Sequence, residues 1–171
     1  MNVRDADRKT LLADAAIEVL GTGGVRALTH RAVDTTAGLP QGTCGYHFPS
    51  RAALLTAALT RIAALDLADA SGADLPAVLR GWVLGDAART RARFMLMLDP
   101  QARAELGPSA ADLAGGFVQR AEELFGSQDR ARLAIALIDG LLLDELTRGT
   151  VTDEQRRARL AAVQDIVTTH R

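Results

Sequence analysis

Residues able to do covalent chemistry are few in this chain and poorly spaced for it. The three histidines, His30, His47 and His170, are scattered, and Cys44 is the single cysteine. One cysteine allows neither an intrachain disulfide nor a multi-cysteine zinc site. No His-Glu-x-x-His pair and no Gly-x-Ser-x-Gly elbow occurs. Carboxylate pairs such as Glu122-Glu123 read as solvated helix surface. No enzyme, no metal and no cofactor is expected. Polar groups do gather between Thr29 and Arg51, where hydroxyls, two imidazoles, the Gln41 amide and two guanidiniums stand close together. Such groups recognise a partner by hydrogen bonds rather than react with it.

The elements that must position them are helical. Apolar residues make up 48% of the 171, mostly Ala and Leu, and no alternating run of β-branched residues appears, so the expected fold is all-α. The formal net charge of -1 excludes a polycation, so any nucleic-acid site must be a local patch. Cations are almost all arginine, with Lys9 the only lysine. This bias fits phosphate binding, but a GC-rich genome is the stronger reading.

A first helix fits Asp7–Leu20, with Leu11, Leu12, Ala15, Ala16, Val19 and Leu20 on one face. Gly21, Gly23 and Gly24 are expected to stop it. With no Gly-Lys-Ser/Thr following, they are not a phosphate loop. Thr29 reads as an N-cap, with Leu28 and Val33 as hydrophobic staple, for a helix ending at Ala37-Gly38. Leu39-Pro40 opens a second short helix through about His47. Two short helices joined by a tight glycine turn outline a helix-turn-helix. Ser50 caps a long helix to about Ala70, and Ser71-Gly72 marks the expected lobe boundary. Asp74, Asp99-Pro100, Ser109, Ser127 and Thr152 with Gln155 open further helices, for about nine segments in all.

The segment LTHRAVDTTAGLPQGTCGYHFPSRAALL, residues 28–55, closely resembles the DNA-binding region of the TetR family of bacterial transcription regulators. Leu-Thr-x-Arg at 28–31, Ala-Gly-Leu at 37–39, Gly42-Thr43, Tyr46-His47-Phe48 and Arg51 before Leu54-Leu55 carry the likeness. The resemblance implies a helix-turn-helix DNA-binding domain over 1–49 and a helical ligand-binding and dimerisation domain over 50–171, connected by helix 50–70. Gln41 and Thr43 suit base edges, since an amide pairs with adenine and a Thr methyl touches thymine; plain helix surface is the alternative. Gly42 belongs to the same turn. Tyr46 and His47 match positions that commonly meet phosphate in the family, with buried structural roles as the competing reading. Thr29, His30 and Arg31 open the first motif helix, where backbone N–H groups favour a phosphate, and Ser50 and Arg51 repeat that arrangement. The family likeness adds that Arg31 could instead reach a guanine edge. Two departures stand out. Gly45 lacks a side chain where many relatives carry a DNA-contacting one, and Cys44 replaces an apolar residue as a small packing group, with a redox switch as the lesser alternative.

Residues 26–51 hold three arginines against Asp34, a weak patch that two copies would strengthen. Leu133–Leu143 is apolar almost all round, with only Asp139 clearly polar. Such a helix needs a second burial partner. A homodimer is therefore expected through this helix and residues 156–168, with Leu137, Gly140, Leu141, Leu160, Val163 and Val167 at the contact; a helix buried within one protomer is the alternative. Two-fold symmetry would match a palindromic operator in double-stranded DNA. The resemblance also implies a pocket for a small apolar or amphipathic effector, for which Trp82, Phe94, Met97, Phe117 and Arg120 are the candidates, although core packing explains each apolar one singly. Arg91, Arg93 and Arg120 could orient an anionic ligand, with solvated helix surface as the stronger reading. The polar start, Met1–Lys9, is unlike a secretory signal, and no apolar run reaches the roughly 20 residues of a membrane span, so a cytoplasmic protein is expected. The function so implied is a homodimeric repressor released from its operator by an effector. An effector-independent repressor and a helical protein-interaction module are the alternatives.

Overall fold

The computed structural model describes residues 3–70 and 75–169. The expected boundary at Ser71-Gly72, the Asp74 cap and His170 lie outside them. Ten α-helices follow in chain order: α1 Val3–Gly23, α2 His30–Thr36, α3 Thr43–His47, α4 Arg51–Ala70, α5 Leu75–Arg80, α6 Ala87–Leu98, α7 Pro100–Leu106, α8 Pro108–Phe125, α9 Gln128–Arg148 and α10 Asp153–Thr169. A 3-10 turn, Val25–Ala27, follows α1, and a π-helical turn, Gly81–Gly85, extends α5. The count exceeds the expected nine because α6, for which the sequence offers no cap, is a helix of its own, whereas α7 opens at Asp99-Pro100 as expected. Asp99 accepts from the Ala102 N–H at 2.8 Å, and Pro100 needs no partner for a missing N–H. No strand occurs among the described residues.

The helices form two compact units. The first takes the chain up to Asp66 together with Ala87–Leu113; the second takes Leu67–Asp86 and the chain from Ala114 onward. In the first, Leu12, Ala16, Leu20, Leu28, Val33, Leu54, Leu55, Ile62 and Leu96 make one apolar core. The staple pair, Leu28 and Val33, is fully inside it. Leu11, expected on the apolar face, is exposed instead, because α1 buries only the stripe that faces α2 and α6.

The glycines after α1 act differently from expectation. The helix runs on through Gly21 and ends only at Gly24, whose φ is 78°. A Cβ on Gly21 would sit 2.1 Å from the Ala88 carbonyl oxygen, so this glycine lets α1 and α6 touch rather than stopping α1. Arg93 also departs from the expected solvated surface. Arg89 and Arg93 of α6 both reach the buried Asp66 carboxylate of α4, at 3.4 and 3.3 Å, and the Arg93 guanidinium lies 5.2 Å from the Phe94 ring. Arg91 and Arg120 are exposed, as expected.

In the second unit Ala134 of α9 packs on Val163 and Val167 of α10, flanked by Phe125, Leu133, Leu137 and Leu141. The α9–α10 turn is closed by a buried ion pair. Arg156 donates to both Glu145 oxygens at 3.2 and 2.6 Å, to Asp153 at 2.8 Å and to the Val151 carbonyl at 3.2 Å. Thr152 and Gln155 exchange hydrogen bonds of 3.0 and 3.2 Å, the capping box read from their spacing. No described helix is long and apolar enough to cross a membrane.

Candidate nucleic-acid interface

The interface is built on α2, the turn after it and α3. Thr29 caps α2, its hydroxyl accepting from the Ala32 N–H at 3.1 Å. Residues 39–42 form the turn, so the second motif helix begins at Thr43, not at Pro40 as expected. Gly42, φ 95°, makes the reversal that a side chain would resist. The helix that follows has five residues, too few to hold its own shape in water.

Tertiary bonds hold α3 instead. Asp34, on the inner face of α2 and only 1% exposed, accepts from the Gly42 N–H at 2.8 Å and the Cys44 N–H at 2.7 Å. Cys44 packs beneath it in the core; burial first, and the Asp34 charge second, push its thiol up to about 11. At the exit of α3 the His30 Nε2 lies 2.7 Å from the Phe48 carbonyl oxygen. The His47 side chain is 4% exposed, with Nδ1 3.3 Å from an Asp5 carboxylate oxygen at the start of α1.

The polar candidates therefore fall into two sets. Thr29, Arg31, Gln41, Gly42, Tyr46 and Ser50 are exposed, and Thr43 is half-buried beside them. Tyr46 is 84% exposed, an unusual position for an aromatic ring, and stands edge-on to the His47 ring. Gln41 leans back on α2, its amide donating to the Thr35 hydroxyl at 3.2 Å. The Thr43 hydroxyl donates to the Pro40 carbonyl at 2.6 Å, so it is engaged within the turn. The Ser50 hydroxyl caps α4 by accepting from the Ala53 N–H at 3.1 Å. In the second set, His30, His47 and Arg51 turn their polar ends inward. Arg51 donates to the Val25 carbonyl at 2.8 Å and pairs with Glu105 of α7, so its charge is compensated inside the unit. Arg26 and Arg31 remain as exposed cations of this surface.

Sequence reasoning counted Asp34 only as a negative charge. Its place beside Val33 on the inward face of α2 was the available signal, since a carboxylate there must find donors. No described group of three His, Cys, Asp or Glu side chains could hold a metal ion.

The other candidates lie elsewhere. Trp82, Phe117 and Arg120 belong to the second unit, and Phe94 and Met97 to the first. Trp82 is buried and donates its indole N–H to Asp69 at 2.9 Å; Phe117 is half-buried, and Arg120 is exposed and pairs with Glu123. On α9 and α10, Leu160, Val163 and Val167 are buried within the protomer, Leu137 and Leu141 are half-buried, and Gly140 is exposed.

Two family models match the chain. "Bacterial regulatory proteins, tetR family" covers residues 12–58, which include the whole interface, and "Tetracyclin repressor-like, C-terminal domain" covers residues 66–169. The chain belongs to the tetR family. It is a transcriptional regulator whose DNA-binding helix-turn-helix is formed by α2 and α3. Solved structures, one of them of a TetR-family member, are similar along most of its length. A member from Streptomyces coelicolor A3 is 31% identical over 91% of this chain and 97% of its own, with a TM-score of 0.70. The multidrug binding protein EbrR complexed with ethidium is 28% identical over 91% of this chain and 98% of its own, with a TM-score of 0.71. A Rhodococcus transcriptional regulator at 24% identity covers 94% of this chain and 96% of its own with a TM-score of 0.71, and shows the shared fold. No curated protein sequence matches the chain.

Proposed function

We propose that this tetR-family regulator is a cytoplasmic homodimeric repressor, not an enzyme, that leaves a palindromic operator when a small effector binds. The observation that carries the DNA-contact assignment is the exposed polar ridge of Thr29, Arg31, Gln41 and Tyr46, with half-buried Thr43 beside it, around a short, externally anchored helix. Arg31 and Tyr46 reach phosphate or base edges, Gln41 and the Thr43 methyl read bases, and the N–H groups opening α2 meet a phosphate. His30, His47 and Arg51 serve the same surface from within, by fixing the ends of α3 and α4. In this reading residues 1–49 bind DNA and residues 50–171 bind the effector and the second protomer.

Dimerisation is assigned to α9 and α10. Gly140 has open space where a Cβ would point, and Leu143 and Ile166 are exposed on these same helices. Small and apolar residues of this kind suit a symmetric four-helix contact. Val163 and Val167 support that face from beneath, with Leu137 and Leu141 beside them. Gly140→Arg is expected to give a monomer in analytical ultracentrifugation with its helix content intact; a persistent dimer would move the interface elsewhere.

EbrR, at 28% identity, was solved with ethidium, and this supports an effector of planar, apolar and cationic character. Trp82 is the sole tryptophan, so its fluorescence reports binding in the second unit. Ethidium lowers DNA affinity only if it binds the mis-spaced state of the dimer more tightly than the operator-competent one. Titrating ethidium is expected to quench Trp82 in the DNA-free protein and to release the operator at concentrations too low to intercalate the duplex, which an unrelated DNA-binding protein on its own site checks by staying bound. Quenching with no release would leave an effector-independent repressor.

A further inference from the structure

The DNA-binding reading leaves open what decides which face of α3 meets the operator. We propose that Asp34 is a positioning residue for operator specificity, which sets the rotation of α3 by holding the Gly42 and Cys44 N–H groups.

Geometry carries the argument. The two Asp34 oxygens take one donor each, at 2.8 and 2.7 Å, and these donors lie two residues apart across the start of α3. One bond would leave the helix free to swivel about it; two bonds to a single buried carboxylate fix its roll. At roughly 100° per residue, Tyr46 stands about 200° around the axis from Cys44. Cys44 is fully buried and Tyr46 is largely exposed on the opposite face, so a roll that loosens one turns the other away from the groove. The remaining anchors do not replace this one. The Thr43 N–H and hydroxyl both go to Pro40, a partner in the turn itself, the His30 bond lies beyond the far end of α3, and His47 meets Asp5 only from the last residue of the helix. Five residues supply too little intrahelical bonding to resist the roll.

A carboxylate suits this place because it only accepts. The change Asp34→Asn would keep one acceptor but set an amide N–H₂ against a backbone N–H. The change Asp34→Ala would leave both N–H groups without their partner. Either substitution removes two charge-assisted bonds from a buried site, where such bonds are at their strongest.

The test compares Asp34→Asn and Asp34→Ala with the wild-type dimer, on the operator selected by wild type and on a scrambled duplex of equal length. Fluorescence anisotropy at fixed salt gives both affinities, and circular dichroism gives helix content. This rests on the DNA-binding reading, and the wild-type arms test that reading separately. The expected result is operator affinity lowered about tenfold or more, with scrambled-duplex affinity within about twofold, because phosphate contacts survive while base-edge contacts are lost. Amide exchange at Gly42 and Cys44 should speed up in the same variants. Three results would overturn the proposal. They are an unchanged operator-to-scrambled ratio, a parallel fall on both duplexes with lost helix content, and failure of both variants to fold, which would make Asp34 a determinant of the fold alone. A wild-type protein without preference for any duplex would overturn the DNA-binding reading itself and this proposal with it.

Discussion

Asp34 in the first unit and Glu145 in the second are both buried carboxylates, yet they are satisfied in opposite ways. Asp34 takes two backbone N–H groups, whereas Glu145 takes chiefly a guanidinium, Arg156, that is itself 1% exposed, with one long bond of 3.4 Å from the Val151 N–H beside it. Backbone donors fix a carboxylate to a stretch of chain, so Asp34 specifies where α3 lies. A guanidinium cancels charge and fastens two helices end to end, so the Glu145 pair closes the α9–α10 turn. The exposed surfaces above them differ accordingly. The one over Asp34 is polar and built for hydrogen bonding; the one on α9 and α10 carries Gly140, Leu143 and Ile166.

Removing one partner of the buried pair should have the largest effect on folding. Arg156→Ala leaves Glu145 buried and uncompensated, an expected loss of about 3–5 kcal/mol in denaturant unfolding. The double change Arg156→Met with Glu145→Leu is expected to recover most of that loss, since an apolar pair of similar size is often as stable. If the double variant stays as unstable as the single one, the pair contributes more than charge compensation. The Asp34 site has no comparable replacement, because backbone donors cannot be mutated away.

Gly21→Ala comes next. Its Cβ would meet the Ala88 carbonyl at 2.1 Å, so α1 and α6 must separate, at an expected cost of about 1–3 kcal/mol in the first unit. Unchanged thermal stability would mean that this contact yields easily. Thr29→Ala removes the α2 cap and is expected to cost about 1 kcal/mol. Because the cap lies at the polar surface, operator affinity should fall too, whereas a cap lost on α9 through Ser127→Ala should leave DNA affinity alone. A fall of both together would blur the division between the two regions.

Cys44 gives the smallest effect. Its thiol is held near 11 in the folded protein against 9.0 unperturbed, so between these values the unfolded chain binds fewer protons. Stability is therefore expected to be full below pH 9 and to decline as pH rises toward 11. Cys44→Ala should flatten that decline. At neutral pH the native thiol should react with Ellman's reagent only as fast as the protein opens, since it is both protonated and buried. Rapid labelling would show that α3 lifts readily off Asp34.

The parts of the fold set by neighbouring residues were legible in the chain. Thr29, Ser50, Asp99, Ser127 and the Thr152–Gln155 box all cap helices where their types and spacing predict, because a cap acts within three residues. The polar stretch from Thr29 to Ser50 was equally legible as a helix-turn-helix. What stayed hidden depends on partners far along the chain. Gly21 reads as a helix stop until Ala88 is seen against it, and Arg51 reads as a phosphate ligand until Glu105 takes its charge. Asp34 is closer to its partners, but the bonds cross from one helix to the next and leave no periodic trace. Gly81–Gly85 winds as a π turn with Trp82 and Val83 buried, and nothing in its composition announces it.

The central claim is that α2 and α3 present a sequence-reading surface on a two-fold dimer. Its most direct measurement is selection of bound fragments from a genomic library by the wild-type dimer at controlled salt, with Tyr46→Ala carried in parallel. One enriched palindromic site is expected, with half-sites about one helical turn of DNA or a multiple apart, and a loss of that enrichment in the variant. A folded dimer that enriches no sequence, or a Tyr46→Ala dimer that enriches the same site undiminished, would contradict it.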